Sequence, residues 1–367
     1  ALRELSIGRT DRLSVDIGPV ITAEAKRNIE AHIEAMRGHG ARVDQLPLPQ
    51  EAARGTFVAP TIIEIDSMGE LKREVFGPVL HVLRYRREDL DALIAAINAT
   101  GYGLTFGLHT RLDETIVHVT ERVKAGNLYV NRNVIGAVVG VRPFGGRGLS
   151  APAPRAGGPL YIGRLVQRPP VPPYHSSVQV DPALRDFATW LGQRGHNAEA
   201  EAAREMGGAS ALAMVKELPG PVGERNIYML HPRGRILLMA QTEKGLYRQL
   251  AAALATGNEA VIDNSSGLAN ALPGLPASVT ARLSSSTDCE KSGSYAGALI
   301  EGDAARVKEL NQKIATLEGP LVLVQAATTT DLLRSPEAYC LNWLLEEVST
   351  SINTAAAGGN ASLMTIG

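Results

Sequence analysis

Cysteine is scarce in this chain, which has two, Cys289 and Cys340, among 367 residues. Two cysteines this far apart exclude a disulfide framework and indicate a reducing compartment. Aromatic residues make up 4%, and the formal net charge is −1 with no long basic block. This charge balance argues against nucleic acid and against an anionic membrane surface as partners of the segment.

Long hydrophobic runs are also absent from the sequence. No uncharged apolar run reaches about 18 residues, so the sequence predicts no membrane-spanning helix. The first residues lack the basic and apolar regions of a secretory signal. The chain does not begin with Met, and we expect a fragment that starts within a domain. Hydrophobic residues still make up 44%, and the length suits two domains of ordinary size.

Helical and strand patterns alternate through the first 168 residues, which predicts an α/β domain with a largely parallel sheet. Thr22 is placed to cap a helix that runs to Arg37. The proline-rich segment 167–173, QRPPVPP, is the best candidate for a domain boundary. A second strand–helix–strand unit between Arg235 and Asp263 predicts a Rossmann-like layer. No G-x-G-x-x-G follows its strands, which favours a structural role over nucleotide binding.

The last residues, 339–367, begin with leucines and other apolar residues at helical spacing, which predicts an amphipathic helix followed by a tail. The predicted domains are therefore 1–168, 169–338 and 339–367. The chain from 131 to 150 is punctuated by glycines and follows a short apolar strand pattern. Nothing between Val134 and Val141 can ionise, so this loop would bind by shape and by backbone N–H groups. An ordinary surface loop is the alternative.

The run Pro143-Phe144-Gly145-Gly146 resembles the end of the catalytic domain in NAD(P)-dependent aldehyde dehydrogenases. The segment 135–141 in front of it resembles the aldehyde-anchoring loop of the glutamate-semialdehyde branch. This resemblance implies that the backbone N–H groups of Gly136 and Ala137 hold the carboxylate of the semialdehyde, and that Phe144 also binds substrate.

A second motif, Glu74-Val75-Phe76-Gly77-Pro78, resembles the cofactor motif of the same family. The resemblance implies that Glu74 accepts hydrogen bonds from the nicotinamide ribose of NAD, since a carboxylate suits a vicinal diol. Phe76 would pack on the nicotinamide. Taken alone, five residues of this kind also fit a surface glutamate beside a turn proline.

Longer blocks, among them REVFGPVLHVLRYRREDLD and AGNLYVNRNVIGAVVGVRPFGGRGLS, resemble the proline utilization A family across the whole chain. This family joins an FAD-dependent proline dehydrogenase to an NAD-dependent dehydrogenase of glutamate γ-semialdehyde in one polypeptide. The chain would be its C-terminal part: the end of an aldehyde dehydrogenase catalytic domain, then a degenerate Rossmann-like α/β domain. Residues 157–166 resemble the oligomerisation-flap strand, which implies a homo-oligomer. The implied location is the cytoplasm, with peripheral membrane association through the full-length protein left open.

Aldehyde dehydrogenases need a thiolate nucleophile and a glutamate base. The resemblance places both upstream of this chain, so we expect no catalytic residue here, no metal site, and an inactive isolated chain. Neither cysteine of this chain suits the role of the nucleophile. Cys289 lies in a polar stretch, and Cys340 is more typical of a cysteine packed in a core. Two hypotheses stay open: part of a dehydrogenase, or a non-catalytic lid or assembly module that seals a substrate-channelling tunnel.

Overall fold

The computed structural model describes residues 1–135, 137–151, 154–166, 180–289 and 294–355. The chain divides into two compact units, Ala1–Ala99 and Thr100–Gly367. The proline-rich segment 167–173 lies outside the described residues, so the domain boundary predicted there stays a proposal. Within the described ranges, no helix combines the length and apolarity needed to cross a membrane.

The first unit packs one long helix against a small mixed sheet. Its elements are α1 (Ala23–Gly38), β1 (Arg42–Gln45), β2 (Thr61–Ile65), β3 (Val79–Leu83) and α2 (Leu90–Ala99). The β1–β2 pairing is antiparallel and the β2–β3 pairing parallel. As predicted, the Thr22 hydroxyl caps α1 by accepting the Ala25 N–H at 3.0 Å. Ile29, Ile33 and Met36 of α1 form the core with strand β2.

The second unit holds the remaining elements. They are β4 (Tyr102–Gly103), β5 (Thr105–Leu108), α3 (Asp113–Arg122), β6 (Asn127–Val130), β7 (Arg147–Gly148), α4 (Pro182–Gln193), α5 (Asn197–Ala209), β8 (Val215–Leu218), β9 (Glu224–Pro232), β10 (Arg235–Met239), α6 (Glu243–Ala255), β11 (Glu259–Asp263), α7 (Ala277–Thr280), β12 (Leu283–Ser286), β13 (Gly297–Glu301), α8 (Ala304–Ile314), β14 (Leu323–Ala327), α9 (Thr329–Arg334) and β15 (Leu345–Asn353). Short 3-10 turns fill several connections.

One sheet of the second unit has the strand order β12-β11-β10-β13-β14, and all its pairings are parallel. Helix α6 connects β10 to β11 and is buried along almost its whole length, because its small alanines lie against the sheet and neighbouring helices. Numbered from β10, this is the order 3-2-1-4-5 of a Rossmann fold. The prediction of an α/β fold with a Rossmann-like second part is confirmed.

The other five-stranded sheet has the order β5-β6-β15-β9-β8. Its central strand, β15, pairs parallel with β6 through Ser349 to Ile352 and antiparallel with β9 along its full length. A strand that follows the Rossmann-like layer in sequence therefore completes the sheet that β5 and β6 begin. The β8–β9 hairpin was not predicted.

The helix predicted from residue 339 is wrong. The structure has a 3-10 turn over Leu341–Leu344 and then the long strand β15. Leu345 to Ser351 are all buried, so the strand has no alternation of apolar and polar residues that would mark it in sequence. The prediction rested on the helical spacing of the leucines. In the structure, hydrogen bonding with β6 and β9 makes these residues a strand. Residues 356–367, the predicted tail motif, lie outside the described residues.

The predicted flap strand at 157–166 is also wrong. Residues 157–161 form a turn and Ile162–Leu165 a 3-10 helix. Strands require a hydrogen-bonding neighbour, and among the described residues only the Phe144–Ala156 bridge stands beside this segment. Gly157, at φ 69°, and Pro159 also favour a turn.

Candidate active site

Glu74 and Phe76 line a single groove in the first unit. The groove has a volume of about 200 Å³ and lies between α1 and the segment 73–76, with Asn28, Ile29 and His32 on its helical wall. Both predicted cofactor side chains are solvent-exposed, Phe76 to 82%. An accessible carboxylate can accept hydrogen bonds from a diol, and an open aromatic face can pack against a planar ring.

Gly77 explains why this segment runs so close to α1. A Cβ added at Gly77 would lie 2.4 Å from the Ile29 Cδ1 atom, so a larger residue here would have to displace the end of the Ile29 side chain. Backbone hydrogen bonds from Gly77 to Val75 and from Val79 to Gly77 fix the turn that leads into β3. The glycine of the motif therefore positions the glutamate and the phenylalanine at the groove.

Two histidines lie beside this groove. The Nε2 atoms of His32, on α1, and His81, on β3, are 2.8 Å apart, so one ring donates a hydrogen bond to the other. Burial lowers the pKa of both rings, and the Arg73 charge lowers that of His32 further. The pair is consequently held with at least one neutral imidazole, since two protonated rings cannot share this bond.

The predicted substrate loop lies in the second unit, directly after β6. Gly136 lies outside the described residues, so the structure does not describe its N–H group. Ala137 is exposed, and its apolar neighbours Ile135 and Val139 are exposed to 78% and 82%. Phe144 is half-buried and exchanges two backbone hydrogen bonds with Ala156, at 3.1 and 2.9 Å. The described residues at the tip of this loop are thus exposed and largely apolar.

The stem of this loop is clamped from both sides. Arg132, at its start, hydrogen-bonds the Glu224 carboxylate of β9 and the Ser351 hydroxyl of β15, the latter at 2.8 Å. Arg142, at its end, lies 3.7 Å from the same Glu224 carboxylate. Asn353 of β15 donates to the Asn131 carbonyl at 3.1 Å. Because both arginines meet one glutamate, the two ends of the loop are held together.

A fully buried arginine supports the Phe144–Gly146 turn. The Arg155 side chain is 0% exposed and passes between Gly126 and Gly145, where an added Cβ would lie 2.3 and 2.8 Å from its atoms. Its guanidinium donates to the Glu347 carbonyl and, at 3.2 Å, to the Glu346 carboxylate of β15. Burial lowers the pKa of Arg155, and the two glutamates oppose that shift.

Sequence reasoning missed these supporting side chains. Arg132 and Arg142 could have been found, because two cations flank a loop that has no charge of its own. The partner Glu224 and the pair Glu346–Glu347 gave no signal, since one lies in an unpredicted hairpin and the other in a segment predicted as a helix. Of the cysteines, Cys289 is buried and burial raises its thiol pKa, which does not favour a thiolate.

Comparison with known proteins finds similarities to both parts of the chain. The sequence model of the aldehyde dehydrogenase family matches residues 1–167. These residues, slightly less than half of the chain, are thus similar in sequence to aldehyde dehydrogenases. The match covers the groove with Glu74 and Phe76 as well as the loop after β6.

Curated relatives match the rest of the chain as well. A bifunctional protein PutA from Rhizobium meliloti is 67% identical over 96% of the chain and 29% of that protein. A 1-pyrroline-5-carboxylate dehydrogenase from Bacillus mycoides is 32% identical over 45% of the chain and 32% of that protein. The chain is thus homologous to part of the PutA proteins, and spans about 29% of the length of the curated PutA relatives it matches.

A solved structure supports the fold. The structure of proline utilization A from Corynebacterium freiburgense aligns with 97% of this chain and 33% of its own, at a TM-score of 0.64 and 22% identity. At this identity the likeness concerns the fold alone. Both compact units therefore have the architecture found in part of that protein.

Proposed function

We propose that this chain contributes the aldehyde-anchoring loop and part of the NAD site to a dehydrogenase of L-glutamate γ-semialdehyde. The complete protein would be bifunctional and would also oxidise proline at an FAD-dependent site outside this chain. The observation that carries the proposal is the loop after β6: an uncharged, exposed tip on a stem held by Arg132, Arg142 and Glu224. A rigid stem keeps backbone donors in one geometry for a carboxylated aldehyde.

In that reaction, the residues of this chain would bind and orient the substrate and the cofactor. Backbone N–H groups of Gly136 and Ala137 would hold the α-carboxylate of the substrate, and Phe144 would limit the positions of its carbon chain. Glu74 would accept the ribose hydroxyls and Phe76 would pack on the nicotinamide ring. NAD supplies the hydride acceptor when bound. The nucleophile would come from a part of the polypeptide outside this chain, so the isolated chain should oxidise no aldehyde.

The test compares a carboxylated aldehyde with a simple one. Charge-assisted hydrogen bonds contribute roughly 1.5–3 kcal/mol each, so losing two should lower kcat/KM about a hundredfold or more. In the complete protein, Gly136→Val should produce this loss for glutamate semialdehyde and a much smaller one for propanal. Val138→Ala, a change in an exposed side chain of the same loop, is the control. Equal losses for both aldehydes in Gly136→Val would contradict the proposed anchor.

The cofactor role has a separate test. Glu74→Ala should impair NAD-dependent aldehyde oxidation while proline oxidation continues at the wild-type rate. Glu88→Ala is the control, because Glu88 is an exposed carboxylate of the same unit and does not line the groove. Wild-type NAD kinetics in Glu74→Ala would show that Glu74 is an ordinary surface residue.

A second function, as a lid and assembly module, is favoured by β15. This strand lies between β6 and β9 and carries the glutamates that hold Arg155. We propose that the residues after about 173 cover the aldehyde site, and that the apolar tail 362–366 docks in the complete protein. Deleting 355–367 should leave each separate activity near its wild-type value but introduce a lag in the coupled conversion of proline to glutamate. A coupled reaction without a lag would exclude this role.

We also propose that the complete protein is a homo-oligomer. Ile162 and Leu165, in the segment that resembles the flap, are each exposed to 70%, which suits a contact with a second copy. Ile162→Ser with Leu165→Ser should lower the mass measured by light scattering. An unchanged mass would place the contact elsewhere.

A further inference from the structure

The Rossmann-like sheet has a defined place for a ligand. Strand order reverses between β10 and β13, where the connection from β10 runs to one side and that from β13 to the other. Ligands of such folds bind in the crevice beyond the carboxyl ends of these two strands, with phosphate at the N-terminus of the helix after the first strand. In this chain that helix is α6, and the turn before it is Ala240 to Thr242.

A carboxylate already occupies this place. Glu301 is the last residue of β13, and its side chain is fully buried. Its Oε2 atom accepts the N–H groups of Gln241 at 2.7 Å and Thr242 at 2.9 Å. Its Oε1 atom accepts the hydroxyls of Thr242 at 2.9 Å and Thr329 at 2.7 Å. Four neutral donors, three from the β10–α6 turn and one from the first residue of α9, therefore converge on one carboxylate.

The first turn of α6 is shaped around this carboxylate. Thr242 caps the helix by accepting the Gly245 N–H at 3.0 Å. A Cβ added at Gly245 would lie 1.9 Å from the Glu301 Oε2 atom, so only glycine lets the carboxylate approach. The positive end of the helix dipole favours an anion here. Close approach through a glycine and paired backbone N–H donors are the features by which such turns hold phosphate.

We propose that Glu301 is an internal anion that fills the phosphate position of this Rossmann-like layer. The pocket recognises small oxyanions, namely carboxylate or phosphate, and the side chain of Glu301 is its resident occupant. While Glu301 is present, its carboxylate takes the N–H groups of Gln241 and Thr242, so a pyrophosphate would have to displace it to use these donors. The backbone donors that bind phosphate in other Rossmann folds here bind Glu301, and this contact joins β13 to the β10–α6 turn.

The test is chemical rescue of a variant without the carboxylate. In the complete protein, Glu301→Ala should lower the thermal midpoint, and added sodium formate or inorganic phosphate should raise it by about 2–4 °C, which is about 1 kcal/mol for a domain of this size. The wild-type midpoint should not respond in this way, because its pocket is filled. Formate acting without phosphate would define a carboxylate pocket, and both acting would define a general oxyanion pocket.

The matched control is Leu299→Ala, two residues earlier in β13 and also fully buried. It leaves an apolar cavity, so formate should change its midpoint no more than that of the wild type. Equal responses of the two variants, or a Glu301→Ala protein as stable as the wild type, would overturn the proposal.

A refolding measurement covers the case in which Glu301→Ala does not fold in plain buffer. Formate or phosphate present during refolding should then restore soluble protein for Glu301→Ala and not for Leu299→Ala. Failure of both anions to improve the yield would overturn the proposal. The outcome is independent of the dehydrogenase proposal, because neither variant touches the loop after β6 or the Glu74 groove.

Discussion

The turns that follow β6 and β10 can be compared directly, because each leaves a strand that runs parallel to a neighbour. After β6 the chain forms a long loop whose described tip is exposed and whose stem is clamped by ion pairs. After β10 the turn is short, and its N–H groups already bind Glu301. At the second of these strand ends a side chain of the protein takes the backbone donors, whereas we propose that the first presents its donors to a ligand.

The largest expected effect concerns the support of the open loop. Arg155→Met removes a fully buried cation that hydrogen-bonds the Glu346 carboxylate and the Glu347 carbonyl, and leaves Arg233 as the remaining cation beside Glu346. Breaking a buried pair in this way costs about 3–5 kcal/mol. Urea unfolding should show this loss in the free energy of unfolding.

Arg204→Met is the matched control for that measurement. Arg204 pairs with Glu201 at 2.9 Å, but both side chains are more than half exposed, at 55% and 64%. Exposed pairs contribute roughly 0–1 kcal/mol, so this variant should be close to the wild type. Similar losses in the two variants would mean that Arg155 does not support the turn as the buried network indicates.

The next effect concerns the clamp on the stem. Glu224→Gln weakens the contacts with Arg132 and Arg142, which should cost about 1.5–3 kcal/mol because the groups are charged and largely buried. Amide hydrogen exchange in residues 133–141 should become faster. Glu217→Gln is the control, because its pair with Arg225 on the neighbouring strand is exposed. Unchanged exchange in Glu224→Gln would show that the loop does not depend on this clamp.

A smaller effect concerns the turn after β10, whose donors are taken by Glu301. Gly245→Ala would displace the Glu301 carboxylate from its donors, at a cost of about 1–3 kcal/mol. Gly192→Ala in α4 meets no atom within 4 Å and should instead stabilise by about 0.4–1 kcal/mol. In a Glu301→Ala background most of the Gly245→Ala cost should vanish. If Gly245→Ala cost as much stability in the Glu301→Ala background as in the wild type, the added Cβ would not clash with the Glu301 carboxylate.

The smallest effect is a pH dependence in the first unit. The folded-state pKa values of His32 and His81 lie below the usual value of 6.5, so the unfolded chain takes up protons first as pH falls. The pair therefore stabilises fully above about pH 6.5, and its contribution is lost as pH falls through the folded-state pKa values.

His81→Gln should reduce this pH dependence, because one titrating ring of the pair is gone. Thermal midpoints at about pH 5 and about pH 7 should differ less in this variant than in the wild type. His39→Gln, an exposed residue after α1, should keep the wild-type difference. An identical pH dependence in His81→Gln and the wild type would assign the effect to other groups.

Much of the fold could be predicted from sequence because it is encoded locally. The Thr22 cap, the apolar face of α1 and the strand–helix–strand unit from Arg235 each combine a period with a start or stop signal. Strand β15 could not be predicted in this way. Its residues are buried on both faces, and the pairing with β6 and β9 comes from chain segments more than a hundred residues away.

The residues of the candidate site also differ in whether local sequence could predict them. Glu74 and Phe76 belong to one short motif, and the structure places both at one groove. The residues that hold the other loop come from distant strands: Glu224 from β9, Ser351 and Glu347 from β15. Such contacts depend on which strands become neighbours. Glu301 was missed for the same reason, since nothing local links it to Thr242.

One measurement tests most directly whether the Glu74 groove is open to a ligand while the turn after β10 is filled by Glu301. It is hydrogen exchange of the complete protein with and without NAD. We predict slower exchange in the segment 73–77, where Glu74 and Phe76 line the groove, and no change in 241–246, the turn whose Gln241 and Thr242 N–H groups donate to Glu301. Slower exchange at 241–246 with NAD, or none at 73–77, would contradict it.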